Sequence, residues 1–144
     1  MLGRVLAIDW GEARIGLALS DATRTLATPH STLHEKDKGQ QIKRVVALVS
    51  ELEVTAIIVG LPLHMDGSAT STTRPAMKYA EKLAGLVSVP VSLVDERMSS
   101  ITAEQRLTEA GRKPTRADKG RIDSAAAAVL LQEWLDTRGP EDNP

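Results

Sequence analysis

The chain has 144 residues, a formal net charge of −1, 42% hydrophobic and 26% charged residues and no cysteine. That is the length of one compact domain, able to bury about two-thirds of its unfolded surface. The balance argues against a basic nucleic-acid coat, and the missing thiols exclude disulfides, thiolate nucleophiles and cysteine zinc sites.

RVLAID (Arg4 to Asp9) and IGLALS (Ile15 to Ser20) read as two strands of a hairpin, punctuated by Gly11 and Gly16. A weaker extended segment lies near Arg24 to Pro29. Ile42, Val45, Val46, Val49 and Leu52 then follow a helical period. AIIVG (Ala56 to Gly60) is apolar on both faces, as in a strand covered on both sides by helices. Met77, Ala80, Ala84 and Val87 predict the buried face of a second helix, and Val91 to Val94 another strand. Ser99 or Ser100 can cap a helix running to about Ala110, closed by Gly111. A polar, basic loop leads to Arg121, and a last helix runs from about Ile122 to Leu135. The expected class is α/β: one domain over residues 1–136, a mixed sheet flanked by helices, with a frayed tail over 137–144.

No apolar run approaches the roughly 18 residues of a membrane span. The N-terminal MLGRVLAIDWGE turns acidic too soon for a signal peptide, so the expected address is the cytoplasm. With no Phe, one Tyr and two Trp, the chain is poor in the rings that single-strand binders use as stacking platforms. Charge is uneven. Between Arg97 and Arg121 there are seven basic residues against three acidic ones, a local +4 that suits a docked polyanion or a merely solvated surface. Arg74, Lys78 and Lys82 form a further basic stripe, readable as a solvated helix face or as a phosphate contact.

Three acidic positions are awkward for a solvated surface. Asp9 ends the first strand, Asp95 and Glu96 end a later one, and Asp123 opens a nearly all-apolar helix. Only one of Asp95 and Glu96 can share Val94's face of the pleat, so the pair points in two directions. Ligands of α/β sheets gather beyond the carboxyl ends of strands. If Asp123's helix starts at that edge, three carboxylates converge, and hard oxygen ligands alone select Mg²⁺ or Mn²⁺. Each acid also has a plainer reading: Asp9 as a turn residue, Asp123 as a helix N-terminal charge, Asp95 or Glu96 as a partner of Arg97. Gly11 and Gly16 are no P-loop, since no Lys-Ser/Thr follows. His30 and His34 read as a surface loop rather than a zinc site, and GLP (Gly60 to Pro62) and MDG (Met65 to Gly67) as turn chemistry.

The blocks IDWGEARIGLALSD, IIVGLPLHMDG, LVDERMSS and KGRIDSAAAAVLL, in that order, resemble the YqgF/RuvX family of the ribonuclease H-like superfamily. The resemblance spans residues 8 to 131. It implies a ribonuclease H-like fold and a metal-dependent nuclease, acting on the 5′ end of pre-16S rRNA in ribosome biogenesis or, as a dimer, on Holliday junctions. Asp9, Glu96 and Asp123 match its metal-binding catalytic carboxylates, with two Mg²⁺ or Mn²⁺ ions implied. Arg14 and Arg97 match arginines with phosphate or structural roles, and Arg112, Lys113, Arg116, Lys119 and Arg121 lie in a basic segment able to close over a nucleic-acid backbone. Glu12 adds a fourth acid in a variable spot, with no role assigned. The implied partner is structured RNA or branched DNA, with ribosomal precursor particles as one setting, no membrane, and a monomer or homodimer as the working unit. Two other classes compete: an actin- or sugar-kinase-like ATPase, disfavoured by the single domain and by Glu12, and a non-catalytic RNA-binding module.

Overall fold

A computed structural model describes residues 2–96 and 116–138, with side chains over 2–96 and 123–137. In chain order the elements are β1 (Arg4–Asp9), β2 (Arg14–Ser20), β3 (Ala27–His34), α1 (Lys38–Glu51), β4 (Val54–Leu61), α2 (Thr73–Ala84), β5 (Val91–Asp95) and α3 (Arg116–Arg138). The five strands form one sheet in the order β3-β2-β1-β4-β5. β1, β2 and β3 make an antiparallel meander, while β1, β4 and β5 run parallel. Single chain reversals of this kind place the carboxyl ends of β1, β3, β4 and β5 on one edge. The starts of α1 and α2, which leave from β3 and β4, lie there too.

The pleat divides the core in two. Leu6, Ile8, Ile15, Leu17, Ile57 and Val59 pack with α1 and α2 on one face. Val5, Ala7, Ala18, Ala56 and Ile58 pack under Ala127, Leu130, Leu131 and Leu135 of α3 on the other. The doubly apolar AIIVG run is therefore covered on both sides, as its sequence requires. Asp37 caps α1, its Oδ1 accepting from Gln40 N–H at 3.0 Å. Thr73 ties α2 to the preceding loop, its hydroxyl donating to the Pro62 carbonyl and accepting from Thr70 N–H. Gln132 clamps α3 to the start of β3, accepting from Ala27 N–H at 2.8 Å and donating to Thr25 O at 3.0 Å.

Four expectations change. The third strand is Ala27–His34 rather than Arg24 to Pro29, and it carries Pro29 at a register shift on the sheet edge, where a missing N–H is tolerated. His30 and His34 thus lie on this strand, not in a loop. On α2 the buried stripe is Thr73, Ala76, Tyr79, Ala80 and Leu83, while Met77 and Ala84 face out and Val87 lies past the helix end. Tyr79 and Leu83 present more apolar area than the stripe read from sequence, and the helix turns to bury them. The last helix starts at Arg116 and ends at Arg138, because Gly120 costs an otherwise good helix only about 1 kcal/mol. Asp123 therefore sits two turns inside α3, beyond the reach of helix-end charge effects, so its reading as a terminal charge fails. The helix expected from Ser99 or Ser100 to Ala110 lies outside the described residues.

Gly16 of β2 supports α3 directly. A Cβ there would stand 2.1 Å from the Asp123 carbonyl oxygen, which is backbone and cannot swing away. Gly16→Ala should therefore lower stability by about 1–3 kcal/mol through forced displacement of α3. The check is a thermal melt followed by circular dichroism, and an unchanged midpoint would contradict this packing.

Candidate active site

The site follows from alternation along three neighbouring strands. In β1, Asp9 continues the Val5–Ala7 row and faces α3, whereas Trp10 continues the Leu6–Ile8 row and faces α1 and α2. Beyond β5, Glu96 extends the ladder, its N–H donating to Leu61 O at 3.2 Å. It lies two residues after Val94, on the α3 face, so Asp95 points the other way.

Because β4 lies between β1 and β5, Glu96 must cross it to meet Asp9. Gly60 makes the crossing possible: a Cβ there would lie 2.2 Å from Glu96 Oε2. The two carboxyls meet in a hydrogen bond, which requires a proton between them. Burial holds Asp9 well above the usual carboxylate range, reinforced by the Glu96 charge, by that hydrogen bond and by Asp123. Burial also raises Glu96, with Asp95 adding to the effect, although the bond from Asp9 opposes it.

Asp123 approaches from α3. Its carboxylate contacts Arg14, with Arg14 Nε 2.7 Å from Oδ2. Oδ2 is buried and, among the described residues, has no hydrogen-bond partner beyond this ion pair. Burial raises the Asp123 pKa, while Arg14 and, more weakly, His34 pull it down. Among the described residues, no three acidic or histidine side chains stand in ligating geometry about one point. Asp9 and Glu96 are in contact, and Asp123 reaches Asp9 through its charge while leaning on Arg14.

An open cleft of about 740 Å³ lies over this edge, lined by Asp9, Trp10, Gly11, Glu12, Ala13, Arg14, His34, Lys36 and Asp123. It has an acidic floor and a rim carrying Arg14, His34 and Lys36, an arrangement suited to an anion that must approach carboxylates. Sequence reasoning missed His34 and Lys36, whose signal is only their position after β3 at the shared edge. It also missed Gly16 and Gly60 as space-makers, although a glycine inside a buried strand marks close approach. Arg97, Arg112 and Lys113 lie outside the described residues, as do the side chains of Arg116, Lys119 and Arg121, whose backbone is helical rather than a loop. Glu12 lines the cleft and is exposed.

The raised titrations have a signed consequence. An acid whose folded pKa exceeds its unfolded value favours the fold while protonated and loses that contribution as pH rises through the folded pKa. In EDTA, Asp9→Asn should therefore melt higher than the parent protein at about pH 8, with the gap closing towards about pH 5. For a relief of about 1 kcal/mol the shift is on the order of 3–5 °C. A variant that melts at or below the parent at the higher pH would refute the buried-carboxylate account.

Comparison with known proteins places the chain in a family. A sequence profile described as RuvX, Holliday junction resolvase, matches residues 3–137. A protein of Anaeromyxobacter sp. (strain Fw109-5) named "Putative pre-16S rRNA nuclease" is 46% identical over 135 residues, covering 94% of this chain and 98% of its own. One of the same name from Roseiflexus sp. (strain RS-1) is 39% identical over 136 residues, covering 94% and 96%. Among solved structures, T. thermophilus RuvC in complex with a Holliday junction substrate aligns with a TM-score of 0.56 at 17% identity, over 94% of each chain. The yeast mitochondrial Holliday junction resolvase Ydc2 aligns at 0.55 and 13%, over 93% of this chain and 78% of its own. These two likenesses establish the fold, a ribonuclease H-like resolvase fold, and the sequence matches establish kinship. The chain belongs to the RuvX family of nucleases.

Proposed function

We propose that this protein is a divalent-metal-dependent nuclease that hydrolyses phosphodiester bonds of structured RNA, at the 5′ end of pre-16S rRNA during ribosome biogenesis. Asp9, Glu96 and Asp123 are its catalytic carboxylates. The carrying observation is the buried Asp9–Glu96 pair at the carboxyl ends of parallel strands, with Asp123 beside it, under a cleft rimmed by cations. The names of the curated relatives supply the RNA substrate. The absence of cysteine fits a cytoplasmic setting.

The side chains fit a hard divalent cation, Mg²⁺ or Mn²⁺. The donors of the three carboxylates are oxygens only, the Asp9 and Glu96 carboxyls are held together in a buried place, and Asp123 Oδ2 has an unfilled acceptor position. Bound there, such a cation supplies Lewis-acid polarisation of the phosphodiester and favours ionisation of the attacking water. Asp9, whose titration both other carboxylates raise, would be one of the residues that hold it. Glu96 is held over Gly60 so that its oxygen points at Asp9. Arg14 orients Asp123 through Nε and keeps its remaining donors for a phosphate oxygen. Lys36 and His34 line the rim, where an RNA backbone is drawn in by charge rather than by base identity. Since cation and proton compete for the same oxygens, cleavage increases as pH climbs through the raised titrations of the pair.

A second reading, cleavage of Holliday junctions, is favoured by the description of the family profile. It calls for two active sites and hence a dimer.

The test offers a helical RNA with a 5′ extension and a mobile four-way DNA junction side by side, with Mg²⁺ or Mn²⁺. The RNA should be cut. Asp9→Asn should reduce the rate by about 10²–10⁴-fold. Gly60→Ala, whose Cβ would meet both the carboxylate and the Cβ of Glu96, should reduce it by about 10²-fold. Full activity in Asp9→Asn would remove the assignment, and cleavage of the junction alone would favour the second reading.

A further inference from the structure

The basic stripe on α2 lines a second cavity, separate from the carboxylate cleft. Arg74, Lys78 and Lys82 line a groove of about 350 Å³ between α1 and α2, with Lys38 contributed by α1. Its apolar surface comes from Trp10, Ile42, Pro75 and Tyr79, and among the described residues no carboxylate lines it. Among the described residues none of the four cations is held in an ion pair. Four like charges around an apolar surface repel one another, and an anion relieves that repulsion.

The fold connects the groove to the active site. Trp10, 8% exposed, follows Asp9 directly and lines both cavities. Its ring packs against Tyr79 with centroids 6.2 Å apart. Lys38 is the first residue of α1 and Arg74 lies in the first turn of α2, so both stand at the edge where β1 ends. From there Lys78 and Lys82 follow at intervals of four residues, about 6 Å each along the helix axis. This is a descending row of cations that begins at the sheet edge carrying the carboxylates, with a repeat of the order of successive phosphates on an extended strand. The volume lies at the lower end of ligand sites, enough for the backbone of one strand and too small for a duplex.

We propose that the α1/α2 groove is a second phosphate-binding site that holds a single-stranded segment of RNA as it leaves the carboxylate cleft. The inference rests on the nuclease reading above. Backbone phosphates seat on Lys38, Arg74, Lys78 and Lys82, while Pro75 and the exposed part of the apolar surface carry the sugars. Such contacts fix strand position and direction and carry no sequence preference. They make the enzyme prefer a substrate with a single-stranded extension next to its helix.

The experiment measures fluorescence anisotropy of two labelled RNAs, a blunt hairpin and the same hairpin with a single-stranded tail, over a salt series. The protein carries Asp9→Asn throughout so that neither RNA is cut. Adding Arg74→Gln, Lys78→Gln and Lys82→Gln should weaken binding of the tailed RNA about tenfold or more and reduce its log–log salt slope by about 2, from 0.7 per lost contact. The blunt hairpin should change little. Lys43→Gln with Arg44→Gln, exposed on α1 outside the groove, should leave the tailed RNA's slope near its starting value. Thermal melts confirm that these surface variants fold. An unchanged slope in the triple variant, or an equal loss for both RNAs, would overturn the groove alone. Failure of the starting protein to bind either RNA would overturn the nuclease reading and the groove together.

Discussion

The structure depends on one costly contact, the meeting of Asp9 and Glu96 under the cover of α3. Burying two carboxyls side by side is unfavourable unless a proton or a cation lies between them. The rest of the fold supplies what that contact needs. Complete apolar cores on both faces of the sheet hold β1, β4 and β5 in register. Gly60 leaves open the one lane by which Glu96 can cross β4, and Gly16 lets α3 sit close enough for Asp123 to be felt at Asp9. Packing stability is thus spent to keep a site that opposes folding, the trade expected if these carboxyls are the proposed catalytic centre.

Arg14 and Trp10 show how the same edge organises charge and direction. Arg14, at the start of β2, leans on Asp123 and moderates the effect of its burial. Trp10 turns to the opposite face from Asp9 because adjacent strand residues alternate, and it becomes a wall common to the carboxylate cleft and the cationic groove. One dipeptide therefore joins the proposed reaction site to the groove proposed to hold a strand.

Much of this was legible in the chain. β1, β2, β4 and β5 were placed by apolar runs that end at glycines or acids, and the two-sided apolar character of β4 announced helices on both faces. The acids stood out because Asp9 and Glu96 stand at strand ends and Asp123 stands in a nearly all-apolar helix. Other features were hidden for physical reasons. The α2 stripe was misread because single-helix periodicity does not say which of two overlapping apolar rows, one led by Met77 and one by Tyr79, will meet the core. The start of α3 was set too late because Gly120 and the basic residues around it look like a loop, although neither stops a helix. The service of Gly60 to Glu96 depends on strand order, since only the placement of β4 between β1 and β5 makes a crossing necessary.

The central claim is that Asp9 and Glu96 share a proton that a divalent cation displaces. The most direct test is a carboxyl ¹³C NMR titration of both residues, without metal and with Mg²⁺. The account predicts that Asp9 titrates well above its ordinary value of about 3.9 without metal, with the Glu96 signal responding to the same event, and that Mg²⁺ abolishes this titration. Two independent titrations at ordinary values, unaltered by Mg²⁺, would contradict it.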